Sequence, residues 1–426
     1  MTVTILFVSF FILMFIGVPI ALSLGISALI TMVLATDNSP TIIIQQSFTS
    51  LDSFPLMAIP LFILAGVLMS TGGISKRLLD LANVLIGFVA GGLAMVTVLA
   101  SMFFAAISGS GPATVAAIGT FMIPSMKEKN YGSGFAAAIT ASAGSIGVLI
   151  PPSIPFVMYG VVGTVSIGSM FLAGIIPGVI LGTALMVVSY ITAKKNGYKG
   201  EGTIPTFKDV LKATWEAKWA LFVPIIILGG IYAGLFSPTE SAAVASVYAL
   251  LIGVFVYKEL NWKSVYESFS SAALTNAATV IIIGFSISFA YLMTRERIPS
   301  IVADFIVSIS ENPLVVMLII NIFLLIVGMF IDTISAIVIL TPILLPVVTD
   351  IGLDPIHFGV ILVMNLAIGF VTPPLGVNLF VASNVGKVSF ERIVKGMVPI
   401  LIAMLLALLV VTYFPPLSNW LPGLWE

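Results

Sequence analysis

No charged residue interrupts the chain between Lys129 and Lys194, and none lies between Asp80 and Lys127. A helix crosses a bilayer in about 20 residues, so the stretch 130–193 must turn back at least once within an apolar medium. The runs Phe135–Ile146 and Phe171–Ile191 are continuously apolar or small and lack the in–out alternation of an outer-membrane strand. Lipid offers the backbone no hydrogen bonds, so such segments satisfy their own as helices. Over all 426 residues, 59% hydrophobic and 8% charged side chains with a mean hydropathy of +1.21 extend this to a polytopic, all-α membrane protein.

Composition removes several function classes. A net charge of −1 leaves no basic face for nucleic acid. The absence of cysteine excludes disulfides, iron–sulfur clusters and thiol catalysis. The single histidine, His357, cannot assemble a zinc or haem ligand set and reads as an interfacial filler near Asp354. With no His/Cys cluster and no suitably spaced acid pair, an enzyme is not expected. The first 35 residues lack the basic start of a signal peptide and read as a first membrane helix of an inner-membrane protein.

The polar stretch 194–218 carries six lysines (194, 195, 199, 208, 212 and 218) against Glu201, Asp209 and Glu216. Positive-inside bias places it in the cytoplasm. Both termini are expected on the outer face, with Trp420, Pro422 and Trp425 as an interfacial anchor. The stretch also separates two repeats. Gly147, Pro151 and Pro152 recur as Gly369, Pro373 and Pro374, at an offset of 222 that also carries Pro124 onto Pro346 and Ser110 onto Asp332. Ser47–Ser50 (Ser-Phe-Thr-Ser) matches Ser268–Ser271 (Ser-Phe-Ser-Ser) one position off that spacing. Residues 1–193 form the first repeat, 194–218 a cytoplasmic connection and 219–426 the second repeat.

Each repeat holds two helix-breaking sites. One is a polar turn in an apolar hairpin: Ser108-Gly109-Ser110-Gly111-Pro112-Ala113-Thr114, then Ile331-Asp332-Thr333-Ile334-Ser335. The other is a proline pair, which unwinds a helix and frees carbonyls that need a partner. Broken segments at matching places in two halves point to a transporter binding site. A hard cation such as Na⁺ takes several oxygen ligands, by the logic of other oxygen-ligated cations. Ser108, Ser110 and Thr114 with the backbone at Gly147, Val148 and Pro151 supply one such set. Asp332, Thr333 and Ser335 with Gly369, Thr372 and Val377 supply the other. Half-helix N-termini at the breaks favour an anion beside the cation, which Thr114, Ser153, Ser335 and Asn378 would contact. Asp332, flanked by apolar residues, is costly in lipid and should face a polar cavity. Arg295 offers a guanidinium for a carboxylate, and Glu240, in Ser237-Pro238-Thr239-Glu240, reads first as a helix cap.

At the hairpin turn Ser108–Ala113, at Gly147-x3-Pro151-Pro152-Ser153, at Ser237–Glu240 and at Gly369-x2-Thr372-Pro373-Pro374, the chain resembles the large membrane subunit of tripartite ATP-independent periplasmic (TRAP) transporters over essentially its whole length. Among that family it is most similar to subunits of sialic acid (N-acetylneuraminate) systems. The resemblance implies an elevator-type transporter of two inverted repeats, with helical hairpins, broken helices and interleaved scaffold and transport domains. It implies sodium as the coupling ion, at the tips and breaks just named, and no organic cofactor. It also implies a small membrane subunit, expected as a separate chain, and a soluble periplasmic substrate-binding protein. It raises Glu240 and Arg295 as support and anion-binding candidates. No Gly-x4-Gly-Lys-Ser/Thr loop is present, which is consistent with gradient-driven transport. The expected function is sodium-coupled import of sialic acid. The alternatives are a C4-dicarboxylate importer of the same family, a stand-alone sodium/dicarboxylate symporter and, in another class, a passive anion channel.

Overall fold

The computed structural model describes residues 2–36, 39–200, 204–310 and 312–425, which are helical without strands. The first half contains α1 (Thr2–Phe15), α2 (Ile20–Ala35), α3 (Thr41–Thr49), α4 (Ala58–Thr71), α5 (Ile74–Ile86), α6 (Gly92–Ser108), α7 (Gly111–Glu128), α8 (Ser133–Ser145), α9 (Ile154–Val162) and α10 (Ile167–Asn196). The second contains α11 (Phe207–Tyr232), α12 (Pro238–Leu251), α13 (Trp262–Arg295), α14 (Ile298–Ile309), α15 (Pro313–Phe330), α16 (Thr333–Asp350), α17 (Pro355–Gly369), α18 (Val377–Gly386), α19 (Phe390–Tyr413) and α20 (Pro416–Gly423). Eight helical segments among the described residues are long and apolar enough to cross a membrane.

The offset of 222 governs the helix boundaries as well as the motifs. α7 and α16 start and stop at positions that offset apart, and both breaks contain a cis proline–proline bond, Pro151–Pro152 and Pro373–Pro374. Packing across the repeats is reciprocal. α7 lies on α18 while α16 lies on α9; α8 lies on α19 while α17 lies on α10; α4 lies on α12 while α13 lies on α2. A two-fold relation between the halves requires such pairing. The hairpins enter from opposite ends. The base of α6–α7 sits beside the lysine-bearing end, where Lys127 Nζ donates to Gly386 O at 3.3 Å and Tyr131 stacks on Tyr198 at 4.3 Å. The base of α15–α16 sits at the other end, where Tyr413 donates to Leu314 O at 3.0 Å and Tyr159 donates to Pro355 O at 2.6 Å. The repeats are therefore inverted.

Three stretches change or add to the expectations. The stretch 3–35 is two helices, not one: Gly17 turns the chain with φ +88° and Pro19 lacks an N–H, so α1 and α2 fold back on each other. The stretch 194–218 is largely helical, being the end of α10 and the first turns of α11, where Thr206 and Asp209 form a capping box; Glu201 lies outside the described residues. Ser47–Ser50 and Ser268–Ser271 match in sequence and differ in structure. The first ends α3 ahead of a non-α turn, and the second lies within the continuous α13.

Candidate functional site

The tip of the first hairpin is a hydroxyl cluster closed over a glycine. Gly109 reverses the chain with φ +60°, and a side chain there would meet Pro152 O at 2.8 Å. Thr114 Oγ1 donates to Ser110 O at 2.8 Å and lies 2.9 Å from Ser108 Oγ. The break beyond α8 approaches so closely that a Cβ on Gly147 would sit 2.6 Å from Thr114 Oγ1 and 2.7 Å from Ser110 O. Only glycine lets tip and break lie side by side. On the far side of the break, Ser153 Oγ donates to Val148 O at 2.5 Å and accepts from Phe156 N at 3.3 Å, so it caps α9 and occupies the Val148 carbonyl. Ile154 N donates to Gly109 O at 3.4 Å, tying α9 to the tip. Pro151 is buried between them.

The second tip is organised around its acid. Asp332 is the N-cap of α16: its Oδ1 accepts from Ile334 N at 3.0 Å and Ser335 N at 3.1 Å, and its Oδ2 accepts from the Ser335 hydroxyl. Thr333 Oγ1 is buried without a hydrogen-bond partner. Gly369 does not face this tip. It lies against the first arm of the hairpin, where a Cβ would come within 2.4 Å of Gly328 O. Thr372 Oγ1 donates to Ile368 O at 2.7 Å, and Val377 is exposed. Asn378 crosses between repeats: its Nδ2 donates to Ala141 O at 3.1 Å and to Ser145 Oγ at 3.3 Å, while its Oδ1 is buried without a partner. The two breaks are thereby tied at the middle of the molecule, where the Phe370 ring also packs on Gly111.

Beside the first tip lies a cavity of about 620 Å³ between α4, α7 and α13. Ser108 and Ser110 line one side, and the second tip contributes Ile334. The rest of the lining is mostly apolar, with hydroxyls set into it at Ser70, Thr71 and Ser75 near the α4–α5 turn, Thr120 on α7, and Ser271, Thr275 and Thr279 on α13. Among the described lining residues none is charged. These α4 and α13 residues escaped the sequence reading. Their signal was the four-residue spacing of Ser271, Thr275 and Thr279, which puts three hydroxyls on one helix face.

Arg295, Glu240 and His357 lie away from the tips. Arg295 is exposed at the end of α13, sixteen residues beyond Thr279, which is about 24 Å along a helix axis; it does not line the cavity. Glu240 closes a capping box, accepting from Ser237 N at 2.8 Å and Ser237 Oγ at 2.7 Å. His357 is fully buried at the start of α17, its backbone N–H donating to Asp354 Oδ1 at 2.9 Å, with Nδ1 3.1 Å from Ser418 Oγ and Nε2 3.2 Å from Thr412 O.

Comparison with known proteins agrees with this architecture. The sequence profile of the tripartite ATP-independent periplasmic transporter, DctM component, matches residues 7–417. An isethionate TRAP transporter permease protein, DctMQ, of Oleidesulfovibrio alaskensis is 50% identical over 98% of this chain, which spans 66% of that protein's length. A C4-dicarboxylate TRAP transporter large permease of Vibrio cholerae is 40% identical over 100% of this chain and 98% of its own. A sialic acid TRAP transporter large permease from the same organism is 40% identical over 97% of this chain and 96% of its own. Sialic acid is therefore not singled out. The solved structure of the Alcanivorax borkumensis YdaH transporter shares the fold, with a TM-score of 0.66 at 14% identity over 92% of this chain and 90% of that one.

Proposed function

From the chain's membership of the DctM family, to which it belongs as a TRAP transporter large permease and hence a multi-pass secondary transporter, we propose that it imports a small organic anion across the bacterial inner membrane, driven by a sodium gradient. A periplasmic binding protein delivers the anion, and a small membrane subunit completes the machine. The name of the 50% identical relative supports that assembly, since it describes a DctMQ protein.

The observation that carries sodium coupling is the first tip. Ser108 Oγ, Ser110 O and Thr114 Oγ1 gather within hydrogen-bonding distance of one another against Gly147, an all-oxygen donor set suited to a hard cation. The same Ser108 and Ser110 line the cavity. A cation here neutralises the acidic group of a substrate in a wall that has no charge of its own. In this reading the first tip and break carry the coupling, and Asp332 with Thr333 forms a second cation position beside its cap. The hairpins and the helices tied to them move as one body against the rest, as in an elevator. Of the substrates in the relatives' names, isethionate comes with the 50% identical protein, so it stands ahead of sialic acid and C4-dicarboxylates.

The test is uptake of labelled isethionate into proteoliposomes holding this chain and its small partner, with binding protein outside. Accumulation that needs both the binding protein and an inward sodium gradient supports the reading. Accumulation driven equally well without sodium refutes the coupling, and accumulation without the binding protein refutes the tripartite assembly.

A further inference from the structure

The cavity wall opposite the first tip has a hydrogen-bonding polarity that the composition of its residues hides. A hydroxyl carries one proton and two lone pairs. Thr275 Oγ1 gives its proton to Ser271 O at 3.0 Å, and Thr279 Oγ1 gives its proton to Thr275 O at 3.1 Å. Thr71 does the same to Val67 O at 2.9 Å, and Thr120 to Ala116 O at 2.7 Å. All four threonines of the lining donate backwards into their own helices. What they turn toward the cavity is lone pairs.

We propose that Thr275 and Thr279 are specificity-determining residues that select a substrate with one acidic group and, at its other end, a hydroxyl or amide N–H donor. The proposal rests on the transport reading above, in which the acidic group lies beside the cation at Ser108 and Ser110. A donor group on the far end then reaches acceptors that have no proton to offer. A fully ionised dicarboxylate presents acceptors at both ends, and a second carboxylate placed against Thr275 and Thr279 meets oxygen lone pairs there where a donor would be welcomed. The uncharged lining supports the same choice, because no described side chain balances a second negative charge. Ser75 Oγ, buried in the same lining without a hydrogen-bond partner, is a further polar atom that a bound solute would satisfy.

The experiment is direct binding to the purified transporter by calorimetry, with three probes: 2-hydroxyethanesulfonate, ethanesulfonate and succinate. The first two differ by one hydroxyl at equal charge. Wild type should bind the hydroxylated sulfonate about tenfold tighter, the worth of one well-placed hydrogen bond. Thr275→Val with Thr279→Val keeps the shape and removes the acceptors, so the ratio should fall close to one through weaker binding of the hydroxylated probe alone. Thr275→Ser and Thr279→Ser should restore the preference, which a merely structural role for the threonines would not predict. A wild-type ratio near one, or a ratio that survives the valines, overturns the proposal. Succinate binding tighter than either sulfonate overturns the single-acid class and leaves sodium coupling standing. Equal affinities with and without sodium strike the coupling, while the ratio of the two sulfonates still decides the donor rule.

Discussion

The two hairpins are built on one residue spacing and hold their tips by different means. In the first, hydroxyls and a carbonyl face Gly147 of the break, and the tip borders the cavity. In the second, an aspartate folds its tip onto itself as a cap, and Gly369 is pressed against Gly328 on the hairpin's own first arm. That arm is also held from behind. Asn365 Nδ2 donates to Asn321 Oδ1 at 2.7 Å, and Asn321 Nδ2 donates to Thr412 Oγ1 at 3.1 Å, next to the His357 contacts with Thr412 and Ser418. Positions 222 earlier hold Ala143, Leu99, Tyr190, Phe135 and Asn196, which reproduce no such chain. Duplication preserved the places where the helices break. The chemistry at each place diverged: one tip is a hydroxyl cluster set against its break, the other an aspartate cap whose neighbour Ile334 reaches the same cavity.

Substitutions can break that comparison at graded strengths. The largest effect is expected from Gly147→Ala. Its methyl has no room beside Thr114 and Ser110, overpacking of this kind costs about 1–3 kcal/mol, and forcing tip from break should abolish uptake per folded molecule. Full uptake would mean that tip and break need not touch. Next comes Asp332. Asp332→Ala removes the cap, about 1 kcal/mol, and should end sodium-driven uptake. Asp332→Asn keeps a capping oxygen, so melting should be almost unchanged while uptake falls; wild-type uptake in that variant would reduce Asp332 to a cap. Asn321→Leu should lower stability by roughly 1 kcal/mol, in line with interhelical hydrogen bonds in membranes, with uptake largely kept. A large loss of uptake there would give the fastened arm a part in the cycle. Arg295→Lys should change nothing measurable, because its helix end lies far from the cavity; impaired uptake would bring that end back to the substrate path.

The breaks were legible because proline and glycine act locally. The pairs at Pro151–Pro152 and Pro373–Pro374 and the turns at Gly109 and Asp332 interrupt helices wherever they fall. Gly17 and Pro19 carried the same kind of signal within the stretch 3–35, masked by the unbroken apolarity on either side. The cavity was less legible. Ser70, Thr71 and Thr279 sit in apolar helices where a hydroxyl bonded to its own backbone is ordinary, and only the packing of α4 against α13 brings them to one wall. Arg295 shows the opposite case: a charge in an apolar chain attracts a functional reading, while its distance from the cavity is set by the length of α13, which the residue itself does not reveal. The divergence of Ser47–Ser50 from Ser268–Ser271 was invisible, since whether such a stretch breaks or continues is decided by its neighbours.

In the proposed mechanism the oxygens of the first tip hold the coupling cation. A sodium titration of solute uptake in proteoliposomes, comparing wild type with Thr114→Val, tests it most directly. Valine matches the shape of threonine and deletes the one oxygen that touches both Ser108 and Ser110. The account predicts a rise of roughly tenfold or more in the sodium concentration for half-maximal uptake, the loss of one polar ligand interaction. A sodium dependence identical to wild type would contradict it.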